Sequence, residues 1–160
     1  GGKPEAYDKV KNLLLAIAVK VEQQPCCVYC GEGAAGHFVK MVHNGIEYAQ
    51  MQVIAEAYHL MKKVGCLNNE ELADVFDSFN QSPIASYLIE ITAELFRLPD
   101  SQSDEKIVDR ILDTAKQKGT AAWASAAAMQ LQVQVPSLDV AVSQRILSSL
   151  KDLRIKTDAI

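Results

Sequence analysis

The stretch GHFVKMVHNGIEYAQMQVIAEAYHLMKKV, Gly36 to Val64, decides the architecture. Apolar residues recur through it at i, i+3, i+4 and i+7, the spacing of an amphipathic helix. The pattern reaches back to about Ala34 and stops at Gly65, a residue that suits a helix C-terminus. Inside it Gly45 costs roughly 1 kcal/mol relative to alanine. That cost points to close approach of another backbone or of a ligand.

The first turns of this helix carry Lys40, His43, Asn44 and Glu47. At about 100° per residue the four fall within an arc of roughly 100°, and Tyr48 borders it. The opposite side holds Phe38, Val42, Ile46 and Ala49. Two readings of the quartet are open, a solvated Lys–Glu face and a cleft for proton chemistry. Further along, the same arc holds Met51, Ile54, Ala55, Tyr58 and Met61. A face that is polar for two turns and apolar for three favours a covered helix with the quartet lining a sheltered cleft. Buried ionisable groups are costly unless partnered, and they gather at functional sites.

Outward from this helix the chain reads as more helices. Pro4 suits a first helical turn, and Val10, Leu13, Leu14, Ile17 and Val21 follow at helical spacing. PCCVYCGEG, around Cys27, reads as one short strand or an extended connection. Asn68 or Asn69 can cap a helix whose first turn holds Glu70 and Glu71. Ser82 and Pro83 open IASYLIEITAELFRL, which Pro99 stops. A helix is expected over Ile107–Lys116, another from Thr120 to about Gln132, and a last one, SLDVAVSQRILSSLKDLR, after Pro136. The class is therefore all-α, a helical bundle around one long helix, with a possible single strand near Cys27.

Composition narrows the function. The hydrophobic fraction is 49%, enough for a packed core, and the net charge is -4 with a pI of about 5.4. An acidic chain with scattered basic residues argues against nucleic acid as partner. No apolar run approaches the ~18 residues of a membrane span, and no signal peptide is read at the N-terminus, so the default setting is cytoplasmic. Cys26, Cys27, Cys30 and Cys66 make a poor disulfide framework. A zinc site from Cys27, Cys30, His37 and His43 fails on geometry, because the two histidines are about 120° apart on one helix. No metal is expected.

GHFVKMVHNGIEY followed by MQVIAEAYHLM closely resembles the signature of the 6-phosphogluconate dehydrogenase family. GGKPEAYDKVKNLLLAIAVKV, IASYLIEIT, QKGT and RILSSLKD resemble further blocks of the same family in the same order, so the likeness covers essentially the whole chain. The family oxidises 6-phosphogluconate with NADP, then decarboxylates, releasing ribulose 5-phosphate and carbon dioxide. The resemblance implies that Lys40 is the base for the C3 hydroxyl and Glu47 the acid that protonates C1. It implies substrate positioning by His43 and Asn44. Tyr48, Lys118, Thr120 and Arg145 match groups around the substrate, chiefly at its phosphate end. It also implies a homodimer.

The residue types suit those roles. A lysine works as a base near neutral pH when burial or a neighbouring cation depresses its pKa, and desolvation favours a protonated carboxyl acid. Arg145 and Lys118 suit a phosphate. GEGAAG, Gly31–Gly36, is not surrounded by a βαβ unit, so NADP is expected to bind mainly to an N-terminal domain outside these residues. Residues 1–30 then read as a connecting helix and strand from the end of that domain, and 31–160 as the helical substrate and dimerisation domain. One departure is local: the family usually reads KGTGKW, and here Ala121 and Ala122 give KGTAAW. Two alternatives stand beside the enzyme segment, a non-catalytic dimerising helical module and a paralogue acting on a different hydroxy acid. By itself the 160-residue segment is expected to be inactive.

Overall fold

Ala35–Lys63 forms one continuous helix, α2, of 29 residues, about 44 Å long at 1.5 Å per residue. It is the spine of the computed structural model, which describes residues 1–158. Before it come α1 (Pro4–Ile17) and a small antiparallel hairpin of β1 (Lys20–Val21) and β2 (Gln24–Pro25). After it come α3 (Asn69–Asn80), α4 (Tyr87–Arg97), the one-turn α5 (Ile107–Arg110), α6 (Thr120–Gln130), α7 (Pro136–Ser149) and α8 (Lys151–Asp158). The all-α expectation holds, with the hairpin as the one sheet among the described residues.

The two halves of α2 serve different cores. Met41 and Tyr48 pack against a cluster of Ala121 and Ala124 from α6 with Leu138 and Val142 from α7. Ile54, Tyr58 and Met61 pack against Leu72, Ala73 and Phe76 of α3 and Ile89, Ala93 and Phe96 of α4. Between the first trio of inward positions (Met41, Gly45, Tyr48) and the second (Ile54, Tyr58, Met61) the buried stripe turns by roughly 140° about the helix axis. This explains why the arc that is polar at Lys40–Glu47 becomes apolar beyond Met51. The neighbour changes, and the covered face changes with it. Burial on both faces does not occur within the chain: Gly45 is the buried residue of α2, and Phe38, Val42, Ile46 and Val53 on the far side are exposed.

Helices α3 and α4 run antiparallel, since Arg97 at the end of α4 reaches Asp74, at 2.6 Å, and Glu70 near the start of α3. The Tyr58 and Phe96 rings stack with centroids 5.5 Å apart, and Phe76 lies 5.5 Å from Phe96. Asn68 caps α3 as the sequence predicts. Its side chain accepts from the Glu71 N–H, and Glu71 accepts from the Asn68 N–H, a reciprocal capping box.

Several boundaries differ from expectation. Of the two readings of PCCVYCGEG, strand or extended connection, the connection holds. Pairing falls just upstream, because Glu22 and Gln23 adopt positive φ (48° and 66°) and make a tight two-residue turn, and Cys26–Gly33 is irregular. Helix α4 starts at Tyr87, since Ser86 and not Ser82 accepts the capping hydrogen bond, from the Ile89 N–H. The helix expected over Ile107–Lys116 ends at Arg110. Gly119, at φ 95°, takes the N-cap position expected of Thr120. The last helix breaks at Leu150 into α7 and α8. At the end of α2 the left-handed residue is Cys66 (φ 56°), not Gly65. Gly65 is needed for space instead, as a Cβ there would lie 2.7 Å from the Met61 carbonyl oxygen.

Gly45 is where α6 and α7 close on α2. A Cβ at this position would stand 2.4 Å from Leu138 Cδ1 and 3.2 Å from Ala124 Cβ. Gly45→Ala is therefore expected to destabilise by about 1–3 kcal/mol through overpacking, despite the better helix propensity of alanine. Thermal unfolding reads this directly, at about 2–4 °C per kcal/mol for a chain of this size. The Gly45→Ala/Leu138→Ala pair should lose less than the sum of its single losses. An unchanged or higher midpoint for Gly45→Ala would show that the seam is loose.

Candidate functional site

The helical spacing of the quartet brings its four side chains together on the N-terminal half of α2. Two donors converge on one oxygen of Glu47, with His43 beside them. Asn44 Nδ2 donates to Oε2 at 3.2 Å, Lys40 Nζ lies 3.5 Å from it and His43 Nδ1 3.4 Å. Lys40 Nζ also sits 3.1 Å from His43 Nδ1. The amine and the carboxyl, two turns apart in sequence, are thus in direct contact.

Burial acts to raise the pKa of Glu47, but the Asn44 hydrogen bond and the charges of Lys40 and His43 outweigh it. The net shift is downward. This reverses the expectation that desolvation keeps Glu47 protonated, and the physical reason is the donor set around Oε2. The sheltered cleft also differs from expectation: the side chains of Lys40 and His43 are 66% and 59% exposed, and that of Glu47 is 34% exposed. Within the chain the quartet is an open face.

Tyr48, one residue on from Glu47, supports a second group. The Arg145 guanidinium of α7 lies over its ring at 4.4 Å, and Arg145 Nη2 is 3.9 Å from Met51 Sδ. Arg97, Arg110 and Arg154 each pair with a carboxylate. Among the described residues Arg145 has no such partner, and it is half-buried. A guanidinium that stacks on an aromatic ring keeps its N–H edge available for an anion. Tyr48 and Glu47 differ by 100° around α2, so the stacked cation and the carboxyl lie on adjoining sides of the same helix.

Thr120 opens α6 beside Ala121, which is fully buried in the cluster against which Tyr48 packs. The N-terminus of α6, with no side-chain cap, therefore begins beside the same cluster. Lys118 is exposed just ahead of Gly119. Neither Lys118 nor Thr120 makes a recorded hydrogen bond to the quartet. Met51 is a site neighbour that the sequence reading placed only in an apolar arc; its i+3 relation to Tyr48 was the available signal. Among the described residues no three His, Cys, Asp or Glu side chains gather as metal ligands would, and all four cysteines are free. Among them, too, no helix is long and apolar enough to cross a membrane.

Residues 36–160 match the family model of the 6-phosphogluconate dehydrogenase C-terminal domain. The chain belongs to that family. A chloroplastic decarboxylating 6-phosphogluconate dehydrogenase of Arabidopsis thaliana is 48% identical over 154 residues, 96% of this chain and 32% of that protein. The NADP(+)-dependent decarboxylating 6-phosphogluconate dehydrogenase of Bacillus subtilis (strain 168) is 46% identical over 160 residues, 100% of this chain and 34% of its own. A solved Plasmodium falciparum 6-phosphogluconate dehydrogenase, described as apo and in complexes with NADP+ and with 6-phosphogluconate, superposes with a TM-score of 0.91 at 41% identity. That match covers 99% of this chain and 34% of the other. The chain thus spans about a third of the length of these 6-phosphogluconate dehydrogenases.

Because the Glu47 pKa is lowered, its contacts add to stability above the unfolded carboxyl pKa, and that contribution is lost as pH falls through the lower folded value. Glu47→Gln should therefore lower the thermal midpoint slightly at about pH 7, and by progressively less as the pH falls through the carboxyl range. In a carboxyl NMR titration Asn44→Ala should move the Glu47 pKa upward. A Glu47 carboxyl that titrates above the ordinary range in the unmodified chain would contradict the donor set described here.

Proposed function

We propose that these residues form the substrate and proton-transfer part of a decarboxylating 6-phosphogluconate dehydrogenase, which converts 6-phosphogluconate to ribulose 5-phosphate and carbon dioxide. The observation that carries this reading is the Lys40–Glu47 contact on the same helix as Tyr48, whose ring holds an Arg145 without a carboxylate partner. Anion, base and acid chemistry are presented side by side.

Lys40 Nζ is the group that takes the proton of the C3 hydroxyl as that carbon is oxidised, and it returns the proton to the C3 oxygen when carbon dioxide leaves. Glu47 gives a proton to C1, for which its carboxyl first takes one up; desolvation under a covering wall favours that protonated form over the carboxylate of the open face. His43 and Asn44 hold the substrate hydroxyls and carboxylate against these two groups. Arg145, Lys118, Thr120 and the open N-terminus of α6 receive the phosphate, the last because unpaired N–H groups and the helix dipole favour an anion. Desolvation is what makes a lysine a base near neutral pH. The open face of α2 calls for a covering wall, which in this reading comes from protein surface outside the 160 residues.

The described residues do not fit an NADP site. GEGAAG runs from the irregular lead into the first residues of α2, and the strands among the described residues are a two-residue antiparallel pair with no βαβ unit. The hydride acceptor, NADP by the names of the relatives, is therefore assigned to other parts of the enzyme. Residues 1–30 lead from them, and 31–160 form the helical domain. The exposed apolar side of α2 (Phe38, Val42, Ile46, Val53) supports a homodimer in which a second copy covers it.

The second reading, a dimerising helical module without catalysis, draws on the same apolar side and on Ala121 and Ala122. In the enzyme that contains these residues, Lys40→Ala should reduce turnover by about 10²–10⁴-fold; retained activity would favour the module. The 160-residue chain alone should form no NADPH from 6-phosphogluconate, and detectable NADPH would overturn the assignment of the nucleotide site. Light scattering at micromolar concentration should give a dimer; a monomer would contradict the proposed pairing.

A further inference from the structure

The connection from Ile111 to Gly119 has no regular structure, yet three consecutive residues in it are tied to one place. The Ala115 N–H donates to Ser148 Oγ at 3.0 Å. Thr114 Oγ1 donates to the Ser148 carbonyl at 3.1 Å. The Asp113 carboxylate pairs with Lys151 and Arg154, and Arg154 Nη2 donates both to the Asp113 carbonyl at 2.6 Å and to the Ser148 carbonyl at 3.2 Å. Between Ala115 and Gly119 no other long-range hydrogen bond is recorded among the described residues. Lys118 is thus held between two anchors, the tie at Ser148 on one side and the buried start of α6 on the other.

Ser148 stands one helical turn beyond Arg145 on α7. The same helix end thus carries the stacked guanidinium and anchors the segment that bears Lys118. Lys118 is three residues past Ala115, which limits it to about 11 Å from the anchor even when fully extended. Thr120 and the N-terminus of α6 follow at once. Ser148 and its partners are half-buried, so these hydrogen bonds are partly shielded from water.

We propose that Ser148 is a positioning residue: by holding Thr114 and Ala115 it fixes, from its N-terminal side, the path of the chain that carries Lys118 past Arg145, and with it the grip of Lys118 on the phosphate end of the substrate. This inference rests on the function proposed above and goes a step further, since Ser148 touches no substrate. Its effect is selective. Loosening the tie weakens phosphate binding and leaves the proton-transfer groups on α2 in place.

The test is steady-state kinetics of the enzyme that contains these residues, with 6-phosphogluconate and with unphosphorylated gluconate. Ser148→Ala should raise KM for 6-phosphogluconate about fivefold, the factor one hydrogen bond carries, with kcat held. The kinetic constants for gluconate should not move. Thr114→Val should act in the same direction, and Ser148→Thr, which keeps the hydroxyl, should restore the KM. Unchanged kinetics, or equal losses on both substrates, would overturn the proposal, the second by showing a merely structural role. Arg145→Ala separates the two levels. If it leaves the KM for 6-phosphogluconate unchanged, the assignment of the site fails and the inference falls with it. If it raises that KM while Ser148→Ala does not, the inference alone fails.

Discussion

At Gly45 two other helices come against the backbone of α2. Leu138 of α7 and Ala124 of α6 occupy the volume a side chain would fill. This approach sets the N-terminal half of α2 against α6 and α7, and the site depends on that placement. Tyr48 can carry Arg145 on its ring because α7 is held this close, and Thr120 starts beside the same cluster because Ala121 is buried in it. Packing fixes the distances, and the polar groups use them.

The electrostatics of the site follow from where charge is left uncompensated. On α2 the Glu47 carboxylate is surrounded by donors, which lower its pKa and hold Lys40 beside it. Across from it, Arg145 rests on an aromatic face with no carboxylate partner, unlike the other arginines of the chain. A bound anion would complete Arg145. A covering surface would strip water from Lys40 and Glu47 and strengthen every charge interaction there.

Much of this was legible in the sequence because it is local. The quartet declares itself by a period of 3.6, and the hydrogen bonds among Lys40, His43, Asn44 and Glu47 span at most seven positions. Asn68 and Glu71 are a cap three residues apart, and Gly45 stood out as a helix breaker in a helical run. What stayed hidden depends on distant partners. The helix expected to run on to Lys116 stops early where Asp113 is drawn to residues 38 and 41 positions on. The stripe of α2 that turns midway could be read only as two-sided burial, because no periodicity names which helix covers which half. The turn at Glu22–Gln23 carries none of the glycine or asparagine that usually marks positive φ. The lowered pKa of Glu47 was missed because burial was weighed without the donor geometry.

The claim on which the account stands is that α2 and α7 present one continuous site, with proton chemistry at Lys40 and Glu47 and anion binding at Arg145. Determining the structure of this protein with 6-phosphogluconate bound tests it most directly. The account predicts the phosphate against Arg145 and the N-terminus of α6, with the sugar acid lying along α2 so that its reacting carbons meet Lys40 and Glu47. A substrate bound elsewhere, with Arg145 still stacked on Tyr48 and the quartet facing open water, would contradict it.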